Sequence, residues 1–446
     1  RQALRLALAL GAVVFAFLSL IGHALAPMGI VADIRPGAIA FLHVGLAAIR
    51  KSPSGNTMPL RLGIMRITKR TSGETAMPEQ RPFLTLYGQK LSWYSTKVRA
   101  CLLFKGIDFF EESPTLVTYY GTIRRRFGDP AMPVVVMPDG EWVQDSSIII
   151  EQLEARYPET AVFPANPVQR FAASLIELWA DEFWHVAAVH TRWSFPEENY
   201  PLWEAEMSKG LAPWLPEFLQ RKLAAIPRKM MLDYLPQLGI VPQQVPLIDR
   251  WIDEQLDALD AHFATMPYLL GTRASVADFA LFGPLDGHIY RDVSSRGALI
   301  DSRPNLHAWI QRLSTRKSQP WPGEFPDTDC LPETLAPLWR SIFGEMVPYL
   351  EGVLREVRSM LPGMKQGERL PRFTPQVTFP FSDGTHFRQG MPYALWMARR
   401  VLDQLQQMPD EEAARLAAAI RSMGGECFLK LDIPPLQRKG LHAAVG

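Results

Sequence analysis

The sequence predicts an α/β domain, then an all-α domain, then a mainly helical extension. Short apolar strands alternate with helices after residue 81, a helix-capping signal stands near residue 275, and an amphipathic helix is predicted near the C-terminus. The predicted boundaries are an N-terminal hydrophobic and basic segment with a linker at 1–80, the α/β domain at 81–160, the all-helical domain at 161–316 and the extension at 317–446.

The α/β domain is predicted from strands bounded by turn residues and helices bounded by caps. Gly106 is placed to end the first helix, and Pro158 to end the last one. The predicted elements are a strand at 83–87, a helix from 92, a strand at 107–111, two strands at 133–137 and 141–144 joined by Pro138-Asp139-Gly140, and a helix from Asp145 to Tyr157.

Helix signals continue through the rest of the chain. Ser275 and Asp278 are spaced as a capping box, in which each side chain hydrogen-bonds to the backbone of the other residue. In the extension we expect a helix at 333–360 interrupted near its two prolines, a strand at 376–381 and an amphipathic helix at 393–408.

Several of these features together resemble the glutathione S-transferases. A Ser-x-x-Ser at the first helix, an X-Pro before the third strand and an Asp-Ser at the last helix are similar to the thioredoxin-like domain of that family. Ser275–Phe279 and Arg303–Trp309 resemble helices of its all-helical domain, so the likeness covers about residues 82–316. It implies an enzyme that conjugates glutathione, as co-substrate, to an electrophilic small molecule.

By this resemblance Ser92 is the leading thiol activator and Ser95 is its reserve. Ser92 stands at a helix start, where a hydroxyl and the positive helix end both favour a thiolate. Capping of the helix alone would need the same residue. Trp93 stands where the family often has proline, which alters the expected thiol pocket, and the absence of a cysteine at position 92 disfavours thiol transfer.

The resemblance also assigns residues that anchor glutathione. Met132-Pro133 resembles the cis-proline corner that pairs with the cysteinyl backbone, and an ordinary trans proline is the alternative. Asp145 and Ser146 correspond to the site of the γ-glutamyl end, although both suit simple helix capping. Arg126, in a run of three arginines, is the candidate contact for the glycyl carboxylate.

Composition excludes several other classes. The formal charge of +1 argues against a nucleic-acid partner, and three widely spaced cysteines fit neither a disulfide framework nor a thiolate metal site. No metal is therefore expected, and the compartment is predicted to be cytoplasmic. The family resemblance implies a homodimer. A non-catalytic binding or scaffold protein with the same fold is the alternative, favoured by Trp93 and by the extension.

The N-terminal segment has two open interpretations. Leu6–Gly22 carries no charge and follows two arginines, which is typical of a signal or membrane anchor. Alternatively, the residues before Met77 are not part of the working protein. On either interpretation we expect a protein of residues 77–446 to be soluble and to bind glutathione if the full chain does.

Overall fold

A computed structural model describes residues 83–315 and 323–446. The expectations for the N-terminal segment, including a membrane contact through residues 6–22, lie outside the described residues. Across the two described ranges, no helix combines the length and the apolar character needed to cross a membrane.

The first domain is a four-stranded mixed sheet flanked by helices. Its strand order is β2-β1-β3-β4, with β1 parallel to β2 and antiparallel to β3, and with β3 antiparallel to β4. The elements are β1 (Leu84–Tyr87), α1 (Trp93–Lys105), β2 (Phe109–Glu112), a π-helical turn (Val117–Ile123), α2 (Arg124–Phe127), β3 (Val134–Val136), β4 (Trp142–Gln144), α3 (Ser146–Arg156) and a 3-10 turn (Pro158–Thr160).

The ends of α1 follow the predicted signals. Ser92 is the N-cap, and Gly106 closes the helix in the left-handed conformation at φ 70°, which glycine adopts without a steric penalty. Cys101 lies in the core of this domain, and burial raises the pKa of its thiol to about 12. A thiol that stays protonated at neutral pH packs as a small apolar side chain.

The second domain is all-helical. Asp278 forms the predicted capping box with Ser275, and its other carboxylate oxygen accepts from the backbone N–H of Leu269 at 2.9 Å and from Trp309 Nε1 at 3.1 Å. The elements are α4 (Pro167–Glu182), α5 (His185–Trp193), α6 (Pro196–Leu211), α7 (Glu217–Tyr234), a 3-10 turn (Pro236–Leu238), α8 (Val245–Phe263), α9 (Val276–Pro284), a π-helical turn (Leu285–Tyr290), α10 (Val293–Ser295), a second π-helical turn (Arg296–Ile300) and α11 (Pro304–Ser314).

The extension is mainly helical with two hairpins. Its elements are a 3-10 turn (Glu333–Leu335), α12 (Ala336–Ser341), a π-helical turn (Ile342–Met346), α13 (Val347–Met360), a 3-10 turn (Leu361–Gly363), β5 (Gln376–Phe381), β6 (Gly384–Gln389), α14 (Pro392–Gln406), α15 (Asp410–Ser422), α16 (Glu426–Leu429), β7 (Leu436–Lys439) and β8 (His442–Val445). The helical run continues through both prolines, but its geometry changes from 3-10 to α just before Pro337 and from π to α just before Pro348, where the interruptions were predicted.

The extension packs against both preceding domains. Phe183, next to the end of α4, contacts Phe379 and Phe381 of β5 with ring centroids 5.8 Å apart in each pair. Gln404 Nε2 of α14 donates to Ser174 Oγ of α4 at 2.9 Å. The fold class predicted from the sequence is confirmed, and the extension belongs to the same hydrophobic core as the two domains.

Candidate functional site

One cavity of about 210 Å³ lies where α1, α3 and α4 meet the extension. The α/β domain contributes Met132, Pro133, Asp145 and Ser146 to its lining, and the helical domain contributes Asp181 and Glu182. Four residues predicted to anchor glutathione therefore share one cavity. Its volume is below the roughly 300–1,000 Å³ that is usual for small-molecule sites.

The anchoring side of the cavity consists of Met132, Pro133, Asp145 and Ser146. The Met132–Pro133 peptide is cis, as predicted. Asp145 adopts a φ of 93°, which is strained by about 1–3 kcal/mol for a residue with a Cβ. Its Oδ1 accepts from the N–H groups of Ser147 at 3.1 Å and Ile148 at 3.2 Å, and these bonds hold the strained backbone at the start of α3.

The covering side comes from the extension. The Tyr393 hydroxyl donates to Asp145 Oδ2, so both carboxylate oxygens of Asp145 are engaged. Burial, together with the charge of Asp145, raises the pKa of Tyr393 well above its ordinary value, so the phenol remains a donor. Arg372, Met391 and Met397 also line this side of the cavity.

A buried charge cluster lies behind the anchoring side. Lys97 Nζ donates to Ser147 Oγ at 3.1 Å, Glu177 Oε1 at 2.6 Å and Asp181 Oδ2 at 2.5 Å. Burial opposes ionisation here, yet the charge of Lys97 lowers the pKa of Glu177. Burial and the charge of Glu177 raise the pKa of Asp181 to about 7 against the pull of Lys97. Lys97 thus has Glu177 as its main counter-ion.

The remaining predicted residues lie outside the cavity lining. Ser92 is partly exposed at the start of α1, and Ser95 is fully buried behind it, with Ser95 Oγ donating to Ser92 Oγ at 2.9 Å. Arg126 is exposed, and its guanidinium carbon lies 4.7 Å from the ring centroid of Trp142. The structure therefore does not bring Ser92, Ser95 or Arg126 into the lining of the cavity that the anchoring residues share.

Two family models match the chain. One is described as glutathione S-transferase, N-terminal domain, and matches residues 86–161; the other is described as glutathione S-transferase, C-terminal domain, and matches residues 247–317. The chain carries both domains of a glutathione S-transferase. The extension lies beyond both matches.

Similar proteins span the transferase domains. LigF of Sphingobium sp. (strain NBRC 103272 / SYK-6) is 22% identical over 241 residues, which cover 52% of this chain and 90% of LigF. The isoprene-epoxide glutathione S-transferase of Rhodococcus sp. (strain AD45) is 22% identical over 249 residues, covering 52% of this chain and 97% of that protein. The crystal structure of beta-etherase LigF from Sphingobium sp. strain SYK-6 has 23% identity and a TM-score of 0.34, covering 52% of this chain and 95% of that chain.

Sequence reasoning missed several residues that line the cavity. Tyr94 and Glu182 were not singled out as candidates, because an aromatic residue on α1 and an acid at the end of α4 also suit ordinary helix packing. Tyr393 is separated from its partner Asp145 by 248 positions, and the pattern near it predicted only an amphipathic helix. Trp179 and Trp184, on either side of Asp181 and Glu182 in the chain, are fully buried core.

Proposed function

We propose that the protein binds glutathione and conjugates it, through its thiol sulfur, to an electrophilic small molecule. The observation that carries this proposal is that Met132, Pro133, Asp145 and Ser146 line one cavity at the N-terminal end of α3. In this proposal glutathione is the co-substrate and the protein acts as a homodimer in the cytoplasm. Within the described residues, no group of three or more His, Cys, Asp or Glu side chains is placed to hold a metal ion.

The start of α3 supports binding of the γ-glutamyl end. Helix N-termini favour carboxylates because free N–H groups and the helix dipole point towards them. Asp145 already accepts from the N–H groups of Ser147 and Ile148. Ser146 is only 6% exposed, and its hydroxyl has no hydrogen-bond partner among residues 83–315 and 323–446. Ser146 is therefore the group available to donate to the ligand carboxylate.

The hydroxyl pair at α1 supports activation of the thiol. The Ser95 hydroxyl donates a hydrogen bond to Ser92 Oγ, so the Ser92 hydroxyl is available to donate a hydrogen bond to a thiolate. Lowering a thiol pKa of about 8.5 by two units takes roughly 2.7 kcal/mol, within reach of one such bond and a helix end. Because Ser92 lies outside the cavity lining, the cysteinyl part of glutathione would have to extend towards α1 to meet it.

Replacement of Ser92 tests the activation step. We expect Ser92→Ala to reduce the rate of conjugation to 1-chloro-2,4-dinitrobenzene by about 10- to 1,000-fold with little change in glutathione affinity. Ser95→Ala is the matched control and should cost less, since Ser95 is buried and acts only through Ser92. Full activity of Ser92→Ala would assign activation of the thiol to another donor.

A second candidate function is a non-catalytic binding protein with the transferase fold. The specific observation in its favour is that the Tyr393 hydroxyl occupies Asp145 Oδ2, where the ligand ammonium would otherwise bind. Glutathione at 100 times Kd should stabilise a binding-competent protein by about 2.7 kcal/mol. A melting temperature that does not change with millimolar glutathione would favour this second candidate.

A further inference from the structure

Two acids at the end of α4 carry unpartnered oxygens beside the cavity. Asp181 is 2% exposed and Glu182 is 4% exposed, and both line the cavity. Within the described part of the chain, Asp181 Oδ1 and Glu182 Oε2 are buried and accept no hydrogen bond. Buried carboxylate oxygens without a partner are costly, so each needs a ligand or a proton.

The nearby cations do not satisfy these two oxygens. The three N–H groups of Lys97 are already donated to Ser147, Glu177 and the other oxygen of Asp181. Arg388 of β6 is 1% exposed, but its Nη2 donates to the backbone carbonyl of Glu182 at 3.1 Å, not to the carboxylate. Its guanidinium carbon lies 3.9 Å from the ring centroid of Tyr349.

The lining is therefore acidic and poor in neutralising charge. Burial, with the charge of Asp181, raises the pKa of Glu182 well above its ordinary value, and burial lowers the pKa of His185 to about 3. His185 is thus neutral at pH 7 and cannot act as a counter-ion. Asp145 adds a third carboxylate to the lining, where Arg372 is the one arginine or lysine among the described residues, while Lys97 and Arg388 lie behind it.

We propose that the electrophile accepted by this protein carries a protonated amine, and that Asp181 Oδ1 and Glu182 Oε2 bind its ammonium group. An ammonium offers three N–H donors for separated oxygens and a positive charge for a desolvated acidic site. The ring of Tyr94, which also lines the cavity, suits a cation. This inference rests on the proposed function, since it names the class of second substrate for the same site.

Binding of n-propylammonium to the full chain tests the inference without any reaction. We expect n-propylammonium chloride to bind at constant ionic strength, with 1-propanol, its neutral counterpart of similar size, binding at least 10-fold more weakly. Glu182→Gln should weaken n-propylammonium binding at least 10-fold while glutathione affinity changes less than 2-fold. Asp383→Asn is the matched control, because Asp383 is an exposed acid that does not line the cavity. This variant should bind the amine as the native protein does.

The outcomes separate this inference from the proposed function. Equal binding of n-propylammonium and 1-propanol, or full amine binding by folded Glu182→Gln, would overturn the inference. Loss of glutathione affinity in Glu182→Gln would also overturn it, because the acids would then hold the ammonium of glutathione itself. If glutathione fails to bind the native protein while Glu182-dependent amine binding persists, the amine site stands and the proposed function fails. The melting temperature of Glu182→Gln establishes that the variant is folded.

Discussion

The anchoring side and the covering side of the cavity differ in how their residues are positioned. On the anchoring side, each residue is fixed by the chain next to it: Pro133 by its own cis peptide, and Asp145 by the N–H groups two and three residues further on. On the covering side, Tyr393 lies on α14, which packs against both transferase domains, and its ring also contacts Trp396 of the same helix. The anchoring side therefore depends mainly on local motifs, and the covering side depends mainly on long-range contacts.

This difference has a functional consequence. Local motifs set the backbone of the anchoring side, and the extension adds the contact of the Tyr393 hydroxyl with Asp145. The covering side places a phenol on a carboxylate of the proposed ligand site and limits the cavity to about 210 Å³. We therefore regard the extension as competing with the ligand for part of the proposed glutathione site. Variants on each side of the cavity test this separately.

The largest expected effect is on the buried charge cluster behind the anchoring side. Lys97 joins α1 to Ser147 of α3 and to Glu177 and Asp181 of α4, and its side chain is fully buried. Lys97→Met leaves buried carboxylates without their cation, and we expect it to lower the free energy of unfolding by about 3–5 kcal/mol in urea denaturation.

Lys229→Met is the control for Lys97→Met. Lys229 pairs with Asp233 on an exposed helix face, where removal of an ion pair should cost less than about 0.5 kcal/mol. Equal losses in the two variants would show that the buried cluster does not hold the anchoring side together.

An intermediate effect is expected on the covering side. Tyr393→Phe removes the hydroxyl that occupies Asp145 Oδ2, which releases this oxygen for the ligand ammonium. We expect glutathione to bind about 3- to 10-fold more tightly in calorimetric titration, which corresponds to the net free energy of one hydrogen bond.

Tyr234→Phe serves as the control for Tyr393→Phe. The Tyr234 hydroxyl contacts Met391 Sδ at 3.7 Å and does not reach Asp145. Unchanged or weaker glutathione binding in Tyr393→Phe would mean that the extension assists the ligand and does not compete with it.

The smallest effect is expected at Arg126. Its guanidinium packs on Trp142, outside the cavity lining, so Arg126→Ala should change the Kd of glutathione by less than about 2-fold. A loss of 5-fold or more would restore the role that the family resemblance gives to this arginine, and would require the α2 region to move towards the cavity on binding.

The same contrast explains what the sequence could predict. The caps at Ser92 and Gly106 and the capping box at Ser275 depend on a few adjacent residues, so their sequence patterns were sufficient to predict them. The cis peptide at Pro133 was predicted from the family resemblance, because the residues alone also allowed a trans proline. In the extension, the sequence predicted local elements correctly, such as the strand at 376–381. No sequence pattern indicated that α14 packs on α4. Burial of Glu182 likewise depends on residues distant in the chain.

One predicted boundary was wrong for a local reason. The second strand begins at Phe109, two residues later than predicted, because Ile107 N–H still bonds to Leu102 as part of the α1 cap. The interruptions predicted near Pro337 and Pro348 are changes of helix type, from 3-10 to α and from π to α, within a continuous run from Glu333 to Met360.

Calorimetric titration of glutathione into the full chain and into Ser146→Ala tests the central claim most directly. The Ser146 hydroxyl is the free donor at the start of α3, and a hydrogen bond to a charged group contributes about 1.5–3 kcal/mol. We predict saturable binding to the native protein and roughly 10- to 100-fold weaker binding to Ser146→Ala. Absence of binding to the native protein at millimolar glutathione, or equal affinity in the two proteins, would contradict the assignment of this cavity as a glutathione site.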